Sequence, residues 1–170
     1  MSTAPEELTE EERREQELAE QARRTSGDWD SVAPGKADDF GRSLPRGVGI
    51  NLLVPEIAPM EAFCRDVLGA TIVYADEDFA AVELLGSVFM LHADHSYSDN
   101  PMTGVIHGVE QRGAGIEIRI YGLDPDIAEA RARQHGHHVL AGSLDKPHGL
   151  RECHIVGPSA YVFVPSAGIG

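Results

Sequence analysis

The side chains able to do chemistry in this sequence cluster in short alternating stretches. Glu117, Arg119 and Tyr121 alternate with Ile116, Ile118 and Ile120. In an extended strand, successive side chains fall on opposite faces. The three isoleucines are therefore expected to pack against a helix, and Glu117, Arg119 and Tyr121 to share the other face, turned into a cavity. A charge withdrawn from water is costly unless it is paired or hydrogen-bonded. Two arrangements answer that cost: an ion pair of Glu117 with Arg119 or with a neighbouring strand, or a polar or cationic ligand that Glu117 and Arg119 orient together.

Histidines supply the other candidates, eight in all. His92 and His95 flank Asp94 at the end of a predicted strand. His135, His137 and His138 follow a predicted helix, where the negative end of the helix dipole favours imidazolium; a solvated turn is the expectation there. His148 lies in the turn between Lys146 and Arg151. Glu152 and His154 share one strand face, with Cys153 on the other; His154 reads equally as a cavity residue or a hydrogen-bonded structural histidine. Neither Cys64 nor Cys153 has a histidine partner identified by spacing, so thiol nucleophilic catalysis is not expected. Phosphate-binding G-x-x-x-x-G-K-S/T loops, G-x-S-x-G and C-x-x-C are all absent from the sequence.

The elements that must position these residues come in two similar sets. Val48, Ile50, Leu52 and Val54 alternate as in a strand. Residues 59–68 have helical spacing through Phe63, Val67 and Leu68, stopped by Gly69. Strands are predicted at 71–75, 79–84 and 87–92, and Asp94–Gly113 is turn-rich, reading as a connecting loop. Strand 115–121, helix 125–134 stopped by Gly136, and strands 138–141, 151–156 and 161–165 repeat the order. The strand starts Gly49-Ile50-Asn51 and Gly115-Ile116-Glu117 correspond, as do the helix ends Gly69 and Gly136. A repeat of this kind means two copies of one unit, each with a face the other must cover.

Ile50-Asn51-Leu52-Leu53-Val54-Pro55-Glu56-Ile57 followed by Phe63-Cys64-Arg65-Asp66-Val67-Leu68-Gly69 resembles the opening of the vicinal-oxygen-chelate superfamily, which includes glyoxalases, bleomycin-resistance proteins and extradiol dioxygenases. Lys146-Pro147-His148-Gly149-Leu150-Arg151-Glu152 and Gly157-Pro158-Ser159-Ala160-Tyr161 are similar to that superfamily's later turns. The resemblance implies an α+β fold: two tandem βαβββ modules, about 47–101 and 113–168, forming a curled mixed sheet around a cup. Residues 1–46 lie outside it. It further implies a small-molecule-binding protein resembling the bleomycin-resistance proteins, with a metal-dependent glyoxalase I-like lyase or isomerase, or a dioxygenase, as the alternative.

Enzymes of that superfamily hold a divalent metal on His, Glu or Gln of the first and fourth strands of the modules. Carried onto this sequence, those positions fall on Gly49 or Asn51, on Met90 or His92, on Glu117 and on Val164. Only Glu117, and His92 beside it, could serve. A catalytic metal needs about three protein ligands and an open position, so neither metal nor other cofactor is expected. The expected ligand-contacting residues are Glu117, Arg119, Tyr121, His92, Asn51 and His148, the last because its turn lines the cup mouth in similar proteins. An acidic cup suits amine-bearing ligands, and the resemblance implies a homodimer.

Charge narrows the partners. Across 170 residues, 28 acidic against 14 basic residues leave a formal charge of −14. That field repels nucleic acid and anionic membrane surfaces. Residues 1–20 are highly charged without an apolar signal core, and no apolar run approaches the roughly 20 residues of a membrane span. The reading is a cytoplasmic protein with reduced thiols. Residues 1–46 carry −5 of the charge. Thr9-Glu10-Glu11-Glu12 reads as a helix start running to about Arg24, followed by an extended Gly-, Ser- and Asp-rich arm in which Trp29, Val32 and Phe40 are candidate anchors. Because residues 1–24 offer few apolar groups, deleting them is predicted to leave the melting temperature nearly unchanged in calorimetry. A fall of more than about 10 °C, at about 2–4 °C per kcal/mol, would make the segment integral to the fold.

Overall fold

The computed structural model describes Phe40, Leu44 and residues 46–169. The helix expected up to Arg24 and the candidate anchors Trp29 and Val32 lie outside the described residues. The chain divides into two units between Val48 and Gly49, and both modules belong to the second unit. The first module runs β1 (Asn51–Val54), α1 (Ile57–Phe63) continued by a π-helical turn (Cys64–Leu68), β2 (Thr71–Ala75), β3 (Phe79–Leu84) and β4 (Ser87–Ala93). A 3₁₀ turn (Asp94–Tyr97) and the short helix α2 (Thr103–Ile106) lead to the second module. That module is β5 (Glu117–Tyr121), α3 (Pro125–Gln134), β6 (His138–Asp145), β7 (Leu150–Val156), a 3₁₀ turn (Pro158–Ala160) and β8 (Val162–Gly168).

Each module folds into a four-stranded mixed sheet, ordered β1-β4-β3-β2 and β5-β8-β7-β6. In both, the first strand runs parallel to the last and the rest are antiparallel. The architecture is α+β with two tandem βαβββ modules, and its eight strands remain two sheets, β1 and β5 lying at the outer edge of each. Among the described residues no helix is long and apolar enough to cross a membrane.

Local chemistry explains the helix boundaries. Asp124 caps α3 by accepting hydrogen bonds from the backbone N–H groups of Asp126 and Ile127, with Pro125 at the first helical position. Gly69 ends the π-helical turn with φ of 72°, a left-handed conformation that side chains with a Cβ resist. The connecting stretch 94–113 is more ordered than its turn-rich composition suggests, since it holds both the 3₁₀ turn and α2. β6 continues to Asp145, through two register shifts against β7. Such irregularities let a strand outlast its alternating pattern.

One core serves both modules. Leu52, Val54, Leu91, Val82 and Ala80 of the first sheet pack with Met60, Phe63 and Val67. Ile120, Phe163, Ile155 and Cys153 join the same cluster from the second, with Ala128 and Ala132 of α3. Phe63 is the hinge of this packing: its ring lies 4.9 Å from that of Phe163 and 4.8 Å, edge-on, from that of His137. His137 thus packs, rather than lying in a purely solvated turn, and burial lowers its pKa. Gly157 packs close to both rings: an added Cβ would sit 3.0 Å from the Phe163 ring and 3.2 Å from that of Phe63, so the rings would have to give by a few tenths of an ångström. The buried Tyr161 hydroxyl donates to the Leu53 carbonyl at 3.0 Å, tying the start of β8 to β1. Ile118 and Ile120 pack on this core as expected, but Ile116 precedes the strand and is 49% exposed. Replacing Phe63 with Ala removes the ring that both modules share. Urea denaturation is expected to record a loss of about 3–5 kcal/mol, and a loss below about 1 kcal/mol would mean the modules do not depend on this contact.

Candidate functional site

On the face of the second sheet away from the helices, alternation places Glu117, Arg119 and Tyr121 of β5 beside Val162, Val164 and Ser166 of β8. Glu152 of β7 pairs with Ser166 on the same face. The Glu152 side chain is only 3% exposed, which demands partners. It has two: the Arg119 guanidinium and His148, whose Nε2–H donates at 3.2 Å. Burial pushes the Glu152 pKa up, but the His148 hydrogen bond and the charges of Arg119, His148 and Lys146 prevail and hold it below the usual glutamate range. Arg119 also donates to Glu117 at 3.2 Å, and His154 lies 3.6 Å from the other Glu117 oxygen. Arg119 therefore bridges two carboxylates, with a histidine beside each.

The corresponding face of the first sheet carries a hydrogen-bond chain. The Nδ1–H of His92 donates to Asn51 Oδ1 at 2.7 Å, and Asn51 Nδ2 donates to the Tyr97 hydroxyl at 2.6 Å. The His92 ring packs against Phe79 and Tyr97 at 4.8 and 4.7 Å. Burial lowers its pKa, favouring the neutral ring.

Between the free edges of β1 and β5 runs a groove of about 570 Å³. Its walls are Ile50, Leu52 and Leu53 on one side and Ile116 and Ile118 on the other, with Met102, Val105, Ile106 and Val109 of the connecting stretch over it. Its polar lining is Asn51, Arg112, Glu117 and Arg119, with Tyr161. Of the residues expected to meet a ligand, Asn51, Glu117 and Arg119 line this groove. His92 stands one hydrogen bond behind Asn51, and His148 behind Arg119 through Glu152. Tyr121 lies outside the lining and is 63% exposed. The sequence pattern did not single out Arg112 or the apolar residues of the connecting stretch. Met102, Val105, Ile106 and Val109 do follow the i, i+3, i+4, i+7 spacing of a helical face, which was the available signal.

The donor set does not fit a catalytic divalent ion. Gly49 has no side chain, and Val164 is a buried hydrocarbon. Asn51 and His92 are committed to each other, and the Arg119 guanidinium already lies between the two carboxylates that could ligate. Among the described residues no group of three His, Cys, Asp or Glu side chains is placed to hold a metal. The thiols offer no substitute: both are buried, which pushes Cys64 up to about 12 and Cys153 up to about 11.

No family model matches this sequence, and no curated protein is significantly similar to it. Solved structures are similar in fold. A glyoxalase/bleomycin resistance protein/dioxygenase from Nocardioides aligns over 91% of this chain and 93% of its own, with 18% identity and a TM-score of 0.58. A glyoxalase-related enzyme from Fulvimarina pelagi aligns over 74% of this chain and 89% of its own, with 15% identity and a TM-score of 0.58. A lactoylglutathione lyase from Agrobacterium tumefaciens covers 73% of this chain and 95% of its own, with 18% identity and a TM-score of 0.52. The chain shares its fold with these glyoxalase/bleomycin-resistance structures. Elemental analysis of protein purified without chelator is predicted to find far less than one Zn, Ni, Mn or Fe per chain. Close to one equivalent, lost in Glu117→Ala, would overturn this reading of the donor set.

Proposed function

We propose that this protein binds a small organic molecule in the groove between β1 and β5, and that it does so without a catalytic metal. The observation that supports this reading is the groove's lining: apolar walls with a few fixed polar groups at defined places, the usual constitution of a small-ligand site. The polar groups are held by their neighbours before any ligand arrives. His92 and Tyr97 fix the Asn51 amide, and Glu152 fixes Arg119. Such preorganisation lowers the ordering cost of binding. The ligand's body would lie against Ile50, Leu53, Ile116 and Ile118, with Asn51, Glu117 and Arg119 as its polar contacts. His148 and His92 act through these residues. The bleomycin-resistance-like role fits this arrangement better than the glyoxalase-like one, because none of the groove's polar groups forms a metal-ligand set.

The neutral dye Nile red tests the groove. Val105 is exposed on its own segment yet lines the groove, so Val105→Asp should leave the fold intact. A charge in the roof is expected to weaken dye binding about tenfold or more, equivalent to about 1.4 kcal/mol. Unchanged dye affinity in Val105→Asp, with unaltered circular dichroism, would place the binding elsewhere.

A further inference from the structure

We infer that Arg112 is the docking point for a carboxylate on the groove's ligand, which makes the ligand class an apolar molecule ending in a carboxylate. The inference rests on the groove being the binding site, and it names what the groove takes.

The observation is an arginine with donors to spare in a place that hides it from water. The Arg112 side chain is 9% exposed and lines the groove. A guanidinium carries five N–H donors in a rigid fork. Arg112 uses three of them: Nε donates to the Val109 carbonyl at 3.1 Å, and each terminal nitrogen donates once to the Asp94 carboxylate. One N–H remains on each terminal nitrogen. Every nitrogen of Arg112 already has one partner, and the two N–H groups left over can make charge-assisted hydrogen bonds to a second carboxylate.

The molecule itself shows how such a group is completed. Arg119, though more exposed at 30%, bridges two carboxylates, those of Glu117 and Glu152. Arg112, more deeply buried, has one. A ligand carboxylate would give Arg112 the second. The remaining charges lining the groove do not oppose this. Glu117 is paired with Arg119 and is 52% exposed, so water and the guanidinium screen it. The nearby Tyr161 hydroxyl is committed to the Leu53 carbonyl. The walls then accept the apolar remainder of the ligand.

The test compares decanoate, decanol and decylamine by isothermal titration calorimetry on the full chain. Decanoate is expected to bind about tenfold or more tightly than decanol, the scale of charge-assisted hydrogen bonds. Arg112→Gln is expected to abolish that preference. Because Arg112 also holds Asp94, a second variant moves the other way: Asp94→Asn removes the competing anion and should strengthen decanoate binding severalfold. If all three compounds bind equally, or decylamine binds most tightly, the groove stands and the role of Arg112 falls. That role falls likewise if Arg112→Gln keeps the preference or Asp94→Asn fails to strengthen it. Binding of none of the three would remove the groove and this inference together.

Discussion

The packing of Phe63 against Phe163 is the constraint on which the rest of this structure depends. Each module has one sheet face covered by its own helix, and neither helix is long enough to make a domain alone. By joining α1 to β8 through these rings, and β1 to the start of β8 through Tyr161 and Leu53, the chain merges the two helix-side layers into one core. The free edges of β1 and β5 are then held near each other without pairing. An unpaired strand edge exposes backbone and apolar side chains, and here that exposure becomes a groove rather than a sheet junction.

Charge in this groove is managed by pairing, with exposure helping at Glu117. Arg119 with Glu117 and Glu152, and Arg112 with Asp94, put two guanidinium groups beside an apolar space. Buried pairs of this kind add little net stability, because desolvation offsets much of the attraction. Their consequence is orientation. The buried Glu152 holds Arg119 in one place, and His148 holds Glu152, so the side chain that meets the groove is set by two that lie behind it. The two ion-pair systems differ in that Arg119 meets two carboxylates and Arg112 one.

The connecting stretch between the modules lines the groove. Its ends are fastened, since Asp94 follows β4 directly and Arg112 stands at the far end of the segment. Thr103 Oγ1 donates to the Tyr97 carbonyl at 2.5 Å, and Asn100 Oδ1 accepts from the Met102 backbone N–H at 3.0 Å. Between these ties, Met102, Val105, Ile106 and Val109 turn toward the groove. The segment therefore joins the duplicated units and also supplies the wall that neither unit has.

Much of the architecture was legible in the sequence, because it rests on local rules. Alternation identified β5 and placed Glu117, Arg119 and Tyr121 on one face. Pro125 and Gly136 bounded α3, and the shift between Gly49 and Gly115 exposed the duplication. The possible Glu117–Arg119 pair was readable from their spacing alone. What alternation could not supply was distance between elements. That Glu152 is the buried partner of Arg119 depends on β8 lying between β7 and β5, and that Asn51 faces His92 depends on the parallel register of β1 with β4. Arg112 looked like one more polar residue in a turn-rich stretch; only the folded chain brings it to Asp94 and buries it. The sequence by itself determined the modules, their duplication and the polarity of each strand face, since these follow from backbone geometry and side-chain period. The tertiary structure decided which charges meet, which donors are left over and where the groove lies, because those depend on contacts between residues far apart in the chain.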